Sequence, residues 1–96
     1  MIPTTGLLSI ASPTRIAVLR HFVAHPRTNW SVRSLHANLG RDDISADAVR
    51  AVLYLLLDNN IVQLVTNQRV LTVRLAEGGQ DALAGLLRSW STGMKR

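Results

Sequence analysis

This 96-residue chain has no cysteine, one lysine, three prolines and four aromatic residues, and its first forty positions contain no acid. Without cysteine there is no disulfide, no thiol nucleophile and no cysteine-ligated metal, so a thiol metal sensor is excluded. There is no long hydrophobic run. The longest, Ala51 to Leu57, is far short of the roughly 20 residues that a membrane helix needs. The opening Met1-Ile2-Pro3-Thr4-Thr5 lacks the basic n-region of a secretory signal, so the expected location is the cytoplasm, away from membranes. The aromatics are Phe22, Trp30, Tyr54 and Trp90, which leaves Leu, Ile and Val to build the core. A hydrophobic content of 47% is that of a globular chain, and the length allows one domain with one core.

The charge is uneven. Net charge is +5, and ten of the eleven cations are Arg, with Lys95 the exception. Residues 1–40 carry Arg15, Arg20, Arg27 and Arg33 with no acid, whereas from residue 41 onward seven bases face six acids. A basic domain points to a polyanion, nucleic acid first. Arg-rich usage and a charge of this size are also ordinary in small soluble domains.

Local signals divide the chain into elements. Residues 1–11 read as an apolar arm carrying Leu7, Leu8 and Ile10. Ser12 is a good N-cap and Pro13 suits the first helical position, so a helix runs to about Ala24 with Ile16, Leu19, Phe22 and Val23 inward. Pro26 ends it, and Arg27 to Trp30 is a short connection. Ser31 caps a short second helix with Val32, Leu35 and Leu39 inward, and Gly40 stops it. After a turn at Arg41-Asp42-Asp43-Ile44, Ser45 caps a third helix to about Asp58, with Asp47 in its first turn and Val49, Val52, Leu53, Leu56 and Leu57 as its stripe. Asn59-Asn60 suits a left-handed exit.

The period then changes. Ile61–Val65 and Val70–Leu75 are β-branched-rich runs around the polar Thr66-Asn67-Gln68-Arg69, which predicts a β-hairpin. In the second run Leu71, Val73 and Leu75 alternate with Val70, Thr72 and Arg74. Glu77-Gly78-Gly79 breaks the strand, and Gln80 to about Trp90 forms a last helix with Leu83, Leu86, Leu87 and Trp90 at i, i+3, i+4, i+7. Residues 91–96 read as a frayed tail.

The fold expected from this order is mainly α with a small β-hairpin, α+β in class, running α-α-α-β-β-α through residues 12–90. That is the order of a winged helix-turn-helix, in which the third helix reads DNA and the hairpin is the wing. Val49-Arg50 through Leu53 and Leu56, followed by Asn60-Ile61-Val62, resembles the recognition helix and hairpin lead-in of ArsR- and MarR-type regulators, with Asn60 where those usually carry Gly. A closer similarity is to the small winged-helix proteins of Mu-like phages and prophages. It rests on Arg15-Ile16-Ala17-Val18-Leu19-Arg20, on Ile44-Ser45-Ala46-Asp47-Ala48-Val49-Arg50, and on Leu75-Ala76-Glu77-Gly78-Gly79-Gln80-Asp81. It covers roughly residues 8 to 85. The resemblance implies a DNA-binding fold and a role as a phage regulator of transcription or a DNA-packaging accessory.

The expected partner is double-stranded DNA. On the third helix the outward residues are Ala46, Asp47, Arg50, Ala51 and Tyr54. Arg50 has the geometry to bridge guanine O6 and N7 or to hold a phosphate, and Tyr54 to donate to a phosphate. The alternative for Arg50 is a solvated pair with Asp47 or Asp58. Arg69 at the hairpin tip suits a phosphate or the minor groove, or simply solubility. Arg33, His36, Asn38, Arg41 and Thr28 are candidates to clamp the DNA backbone.

Catalysis is not expected. Asp42-Asp43 sits on a turn without a third group, and no phosphate loop or nucleophile elbow is present. His21 and His25 have i, i+4 spacing but no further ligand nearby, so no metal and no cofactor is expected. Leu83, Leu86, Leu87 and Trp90, with Leu7, Leu8 and Ile10, are candidates for a homodimer seam. The alternative to DNA binding is a winged helix used as a protein-interaction module, favoured by the small and acidic residues on the third helix.

Overall fold

The computed structural model describes the backbone of residues 12–93 and the side chains of residues 12–90. The expected arm at residues 1–11, with Leu7, Leu8 and Ile10, lies outside the described residues, as do residues 94–96. Within this range the chain forms α1 (Pro13–Ala24), β1 (Trp30–Ser31), α2 (Val32–Leu39), α3 (Ala46–Asp58), β2 (Val62–Leu64), β3 (Thr72–Leu75) and α4 (Gly79–Gly93). The class is α+β, with helices packed beside one small antiparallel sheet ordered β1-β3-β2.

Three serines start three helices by one mechanism. Each holds an extended backbone and accepts an orphan N–H from the first helical turn. Ser12 accepts from the Arg15 amide at 3.1 Å, with Pro13 in the first turn. Ser45 accepts from the Ala48 amide at 3.0 Å. Ser31 forms a reciprocal capping box: its hydroxyl accepts from the Ser34 amide at 3.1 Å, and the Ser34 hydroxyl accepts from the Ser31 amide at 2.9 Å. The exits are equally local. Gly40 closes α2 at φ 60°, where a side chain would be strained. Asn60 turns the chain out of α3 at the same φ of 60°, and the Ile61 amide then donates to the Leu56 carbonyl at 3.0 Å.

The connection at Trp30 is not irregular, as the sequence suggested. Trp30 and Ser31 form β1, pairing antiparallel with Val73 and Thr72. Two residues are too few to show an alternating pattern, which is why the strand is silent in the sequence. The hairpin strands are shorter than expected, with register Val62↔Leu75, Gln63↔Arg74 and Leu64↔Val73. Val73 is buried as the alternation requires, and Arg74 is exposed. Thr72 departs from the expected outward set: it is buried, and its hydroxyl donates to the Val70 carbonyl at 3.0 Å.

The core gathers Val18, Leu19 and Phe22 of α1, Leu35 of α2, Val49, Leu53 and Leu56 of α3, Val73 of β3 and Leu83 of α4, all essentially without solvent contact. Val18 is an addition to the inward set expected for α1. Burying a side chain of this kind contributes about 1.5–3 kcal/mol. α4 continues past the expected end at Trp90 to Gly93 and packs along α1. Its stripe is mostly used within the chain. Leu83 and Trp90 belong to the core, and Leu86 and Leu87 are half-buried against it. The expected seam residues Leu83 and Trp90 thus face the chain's own core, where α4 packs on α1. Among the described residues no helix is long and apolar enough to cross a membrane.

The start of α4 is set by a close backbone approach. A Cβ at Gly79 would collide with the Ile61 carbonyl and press on Leu75 Cδ2 at 3.3 Å. Ile61 cannot retreat, because its carbonyl also accepts the Ala76 amide at 2.9 Å and closes the base of the hairpin. Gly85, in the middle of α4, faces only the flexible end of Arg88 at 3.7 Å. Gly79→Ala is therefore expected to destabilise the fold by about 1–3 kcal/mol. Gly85→Ala should be neutral or stabilising, by up to about 1 kcal/mol. Urea unfolding of the two variants beside the parent chain checks the contrast, and equal loss in both would contradict it.

Candidate functional site

The solvent face of α3 is a strip. Asp47, Arg50, Ala51 and Tyr54 are all exposed along it, while Val49, Val52, Leu53 and Leu56 hold the opposite face in the core. Tyr54 is half exposed, at 50%. On one flank Ala51 lines a concavity of about 220 Å³ with Thr14 and Arg15 of α1. On the other flank Ala46 and Arg50 line a groove of about 440 Å³.

That groove brings distant parts of the chain together. α2 supplies Val32, Arg33 and His36, with Ser31 at its cap, and α3 supplies Ala46 and Arg50. The hairpin supplies Val70 and Leu71 as the facing wall. Two guanidinium side chains line it, and among the described residues no carboxylate does. Of the residues expected to act, Ala46, Arg50, Arg33 and His36 meet here, and Asp47, Tyr54 and Ala51 adjoin on the strip. Val70, Leu71, Val32 and Ser31 were not expected. The available signal was Val70 itself, an aliphatic residue next to the hairpin tip, where it stands 64% exposed.

Arg50 is not idle. Its Nη1 donates to Asp47 Oδ1 at 2.9 Å, and both side chains are well exposed, at 50% and 90%. This is the solvated pair with Asp47 that the sequence offered as the alternative. Exposed pairs at this spacing contribute about 0.3–0.5 kcal/mol, so a stronger anion can displace the carboxylate. Arg33 and Arg69 are exposed and meet no carboxylate among the described residues. Arg69 is at the hairpin tip and does not line the groove.

The other expected clamp residues have local partners. His36 Nε2 donates to the Ile44 carbonyl at 2.7 Å and ties α2 to the turn before α3. Asn38 Nδ2 donates back to the Ser34 carbonyl of its own helix at 2.9 Å. Arg41 makes a two-point pair with Asp43, Nε to Oδ1 at 3.1 Å and Nη2 to Oδ2 at 2.7 Å. Hydrogen-bonded by that guanidinium, the Asp43 carboxyl sits below its ordinary pKa range. Thr28 is exposed in the loop before β1 and touches neither groove nor strip. A second basic concavity, about 360 Å³, lies at the hairpin base between Arg27, Gln63, Arg74 and Glu77. There Gln63, with its amide oriented to satisfy both atoms, accepts from Arg74 Nε and Nη2 at 3.0 Å each.

His21 and His25 form a ring cluster with Trp30. His21 lies 4.7 Å from His25 and 4.8 Å from Trp30, centroid to centroid. The cluster braces β1 against the end of α1. His21 Nε2 and Trp30 Nε1 are buried without a hydrogen-bond partner. Among the described residues no group of three or more His, Asp or Glu side chains is placed to hold a metal ion.

No family model, curated protein or solved structure matches this chain.

The His21 cluster generates a pH dependence. Burial first, and the neighbouring His25 second, lower the His21 pKa from its ordinary value. The unfolded chain, with His near pH 6.5, takes up a proton that the folded chain resists. Stability present above about pH 6.5 should fall as the pH drops through that value toward the lowered folded pKa. Urea midpoints measured from pH 7.5 to 5 check this, and His21→Phe, which keeps a ring against Trp30, should flatten the slope. A slope unchanged in that variant would assign the acid sensitivity to another group.

Proposed function

We propose that this chain is a winged helix-turn-helix protein that grips double-stranded DNA, with α2 and α3 as the helix-turn-helix and β2–β3 as the wing. The observation that carries the reading is the convergence of Arg33 and Arg50, from separate helices, on one groove beside the exposed face of α3. A helix in the major groove needs an outward face free of core duties and flanking cations to hold the phosphates. The strip meets the first need, and Arg33, Arg50 and the hairpin-tip Arg69 meet the second.

The chemistry favours backbone grip over base reading. α3 presents one guanidinium, one phenol, small residues and an acid. Arg50 is the side chain suited to a guanine edge, through O6 and N7, and it must first leave Asp47. Phosphate contacts fix the position of a protein on DNA and carry little sequence information. The reading is thus of a binding protein with weak sequence preference and no catalytic step, consistent with the resemblance to phage winged-helix proteins.

Fluorescence anisotropy with a labelled duplex in a salt series tests it. Affinity should fall with salt with a log–log slope of roughly −3, as expected for about three phosphate contacts. Arg33→Ala, Arg50→Ala and Arg69→Ala should each weaken binding and reduce the slope by about 1. Asp47→Asn should strengthen binding by roughly two- to fivefold, because it releases Arg50 and removes a like charge from the phosphates. No binding to any duplex at low salt would overturn the reading and leave the strip as a protein-binding surface.

A further inference from the structure

The groove between α2, α3 and the hairpin has a character that a phosphate backbone does not use. Half of its lining is aliphatic: Val32, Ala46, Val70 and Leu71. Its volume of about 440 Å³ lies in the range of pockets that enclose a small ligand or an anchoring side chain, roughly 300–1,000 Å³. Val70, on its wall, stands 64% exposed. Exposed aliphatic side chains beside a concave surface mark a place where another apolar group seats. Arg33 and Arg50 line this surface with no carboxylate among the other lining residues, and the carboxylate that holds Arg50, that of the exposed Asp47, is weakly bound and displaceable, so the two guanidiniums suit a group flanked by negative charge.

The geometry points to a docking site for an acidic protein segment: one large apolar side chain enters against Val70 and Leu71, and carboxylates on either side pair with Arg33 and Arg50. Arginine clusters recognise acidic motifs in this way, and a buried apolar anchor supplies most of the affinity. DNA offers the same two arginines phosphates but no large apolar anchor, so the apolar half of the groove distinguishes the two partners. Arg50 is common to both. The docked segment therefore excludes DNA from α3, a consequence that rests on the DNA reading above, while the docking itself does not.

The test uses the full chain and the synthetic peptide acetyl-Glu-Asp-Leu-Phe-Asp-Glu-amide. Two control peptides replace either the four acids by their amides or Leu-Phe by Ser-Ser. The parent peptide should bind saturably and shift the amide resonances of Ala46, Val70 and Leu71, and each control should bind at least about fivefold more weakly. Val70→Ser, a change at an exposed position, should weaken the peptide about fivefold. Arg50→Ala should weaken both peptide and duplex. Equal affinity for the Ser-Ser control, or shifts confined to another surface, overturns the docking. Duplex binding without peptide binding overturns the docking alone. Peptide binding without duplex binding upholds the docking and removes the DNA reading.

Discussion

Ser31 joins the sheet to the helices. Its backbone stands opposite Thr72 at the end of β1, and its side chain closes the capping box that starts α2 in the next residue. One residue is therefore both the last of a strand and the N-cap of a helix, with no linker to absorb error. The direction of α2, and with it the placement of Arg33, follows from the pairing of β1 with β3. Thr72 in turn holds the Val70 carbonyl through its hydroxyl, so the opposite wall of the groove is tied to the same register. The His21–His25–Trp30 ring cluster braces this joint from the α1 side. The groove is thus fixed by the β1–β3 pairing, a few local hydrogen bonds and one aromatic cluster, and the hydrophobic core beneath supplies the stability that keeps them together.

Much of this was legible because each boundary carries its own chemistry. Ser12, Ser31 and Ser45 start helices, and Gly40 and Asn60 end them, by interactions within a few residues. The inward set of α3 followed from helical spacing alone. What stayed hidden was whatever depends on a partner far along the chain. β1 exists only because β3 is beside it. Thr72 is buried where the distant Ser31 pairs opposite it. The stripe of α4 has the same spacing whether it covers α1 or a second subunit, so sequence could not assign Leu83 and Trp90 to the chain's own core.

The candidate site was legible in its charges and illegible in its shape. Arg33 and Arg50 were expected to act, and they share a groove. His36 lines the groove as well, and its hydrogen bond to the Ile44 carbonyl makes it a brace between α2 and the turn before α3. Asn38 and Arg41 likewise have short local partners, and a polar side chain on a helix or turn cannot announce which neighbour it will choose. The apolar wall was missed because Val70 and Leu71 read as strand residues with ordinary alternation. Arg74 was read as the outward half of that pattern, and its hold on Gln63 depends on the strand register.

The order of the sheet has a consequence for the protein in a crowded solution. With β3 in the middle, both outer strands have a row of backbone groups that no other strand pairs among the described residues. Those rows are two and three residues long. Longer, flatter edges template the addition of strands from other molecules and lead to fibrils. Here the run of free amides and carbonyls is too brief to recruit another chain, so Leu64 can stand in water at the sheet's rim without seeding aggregation.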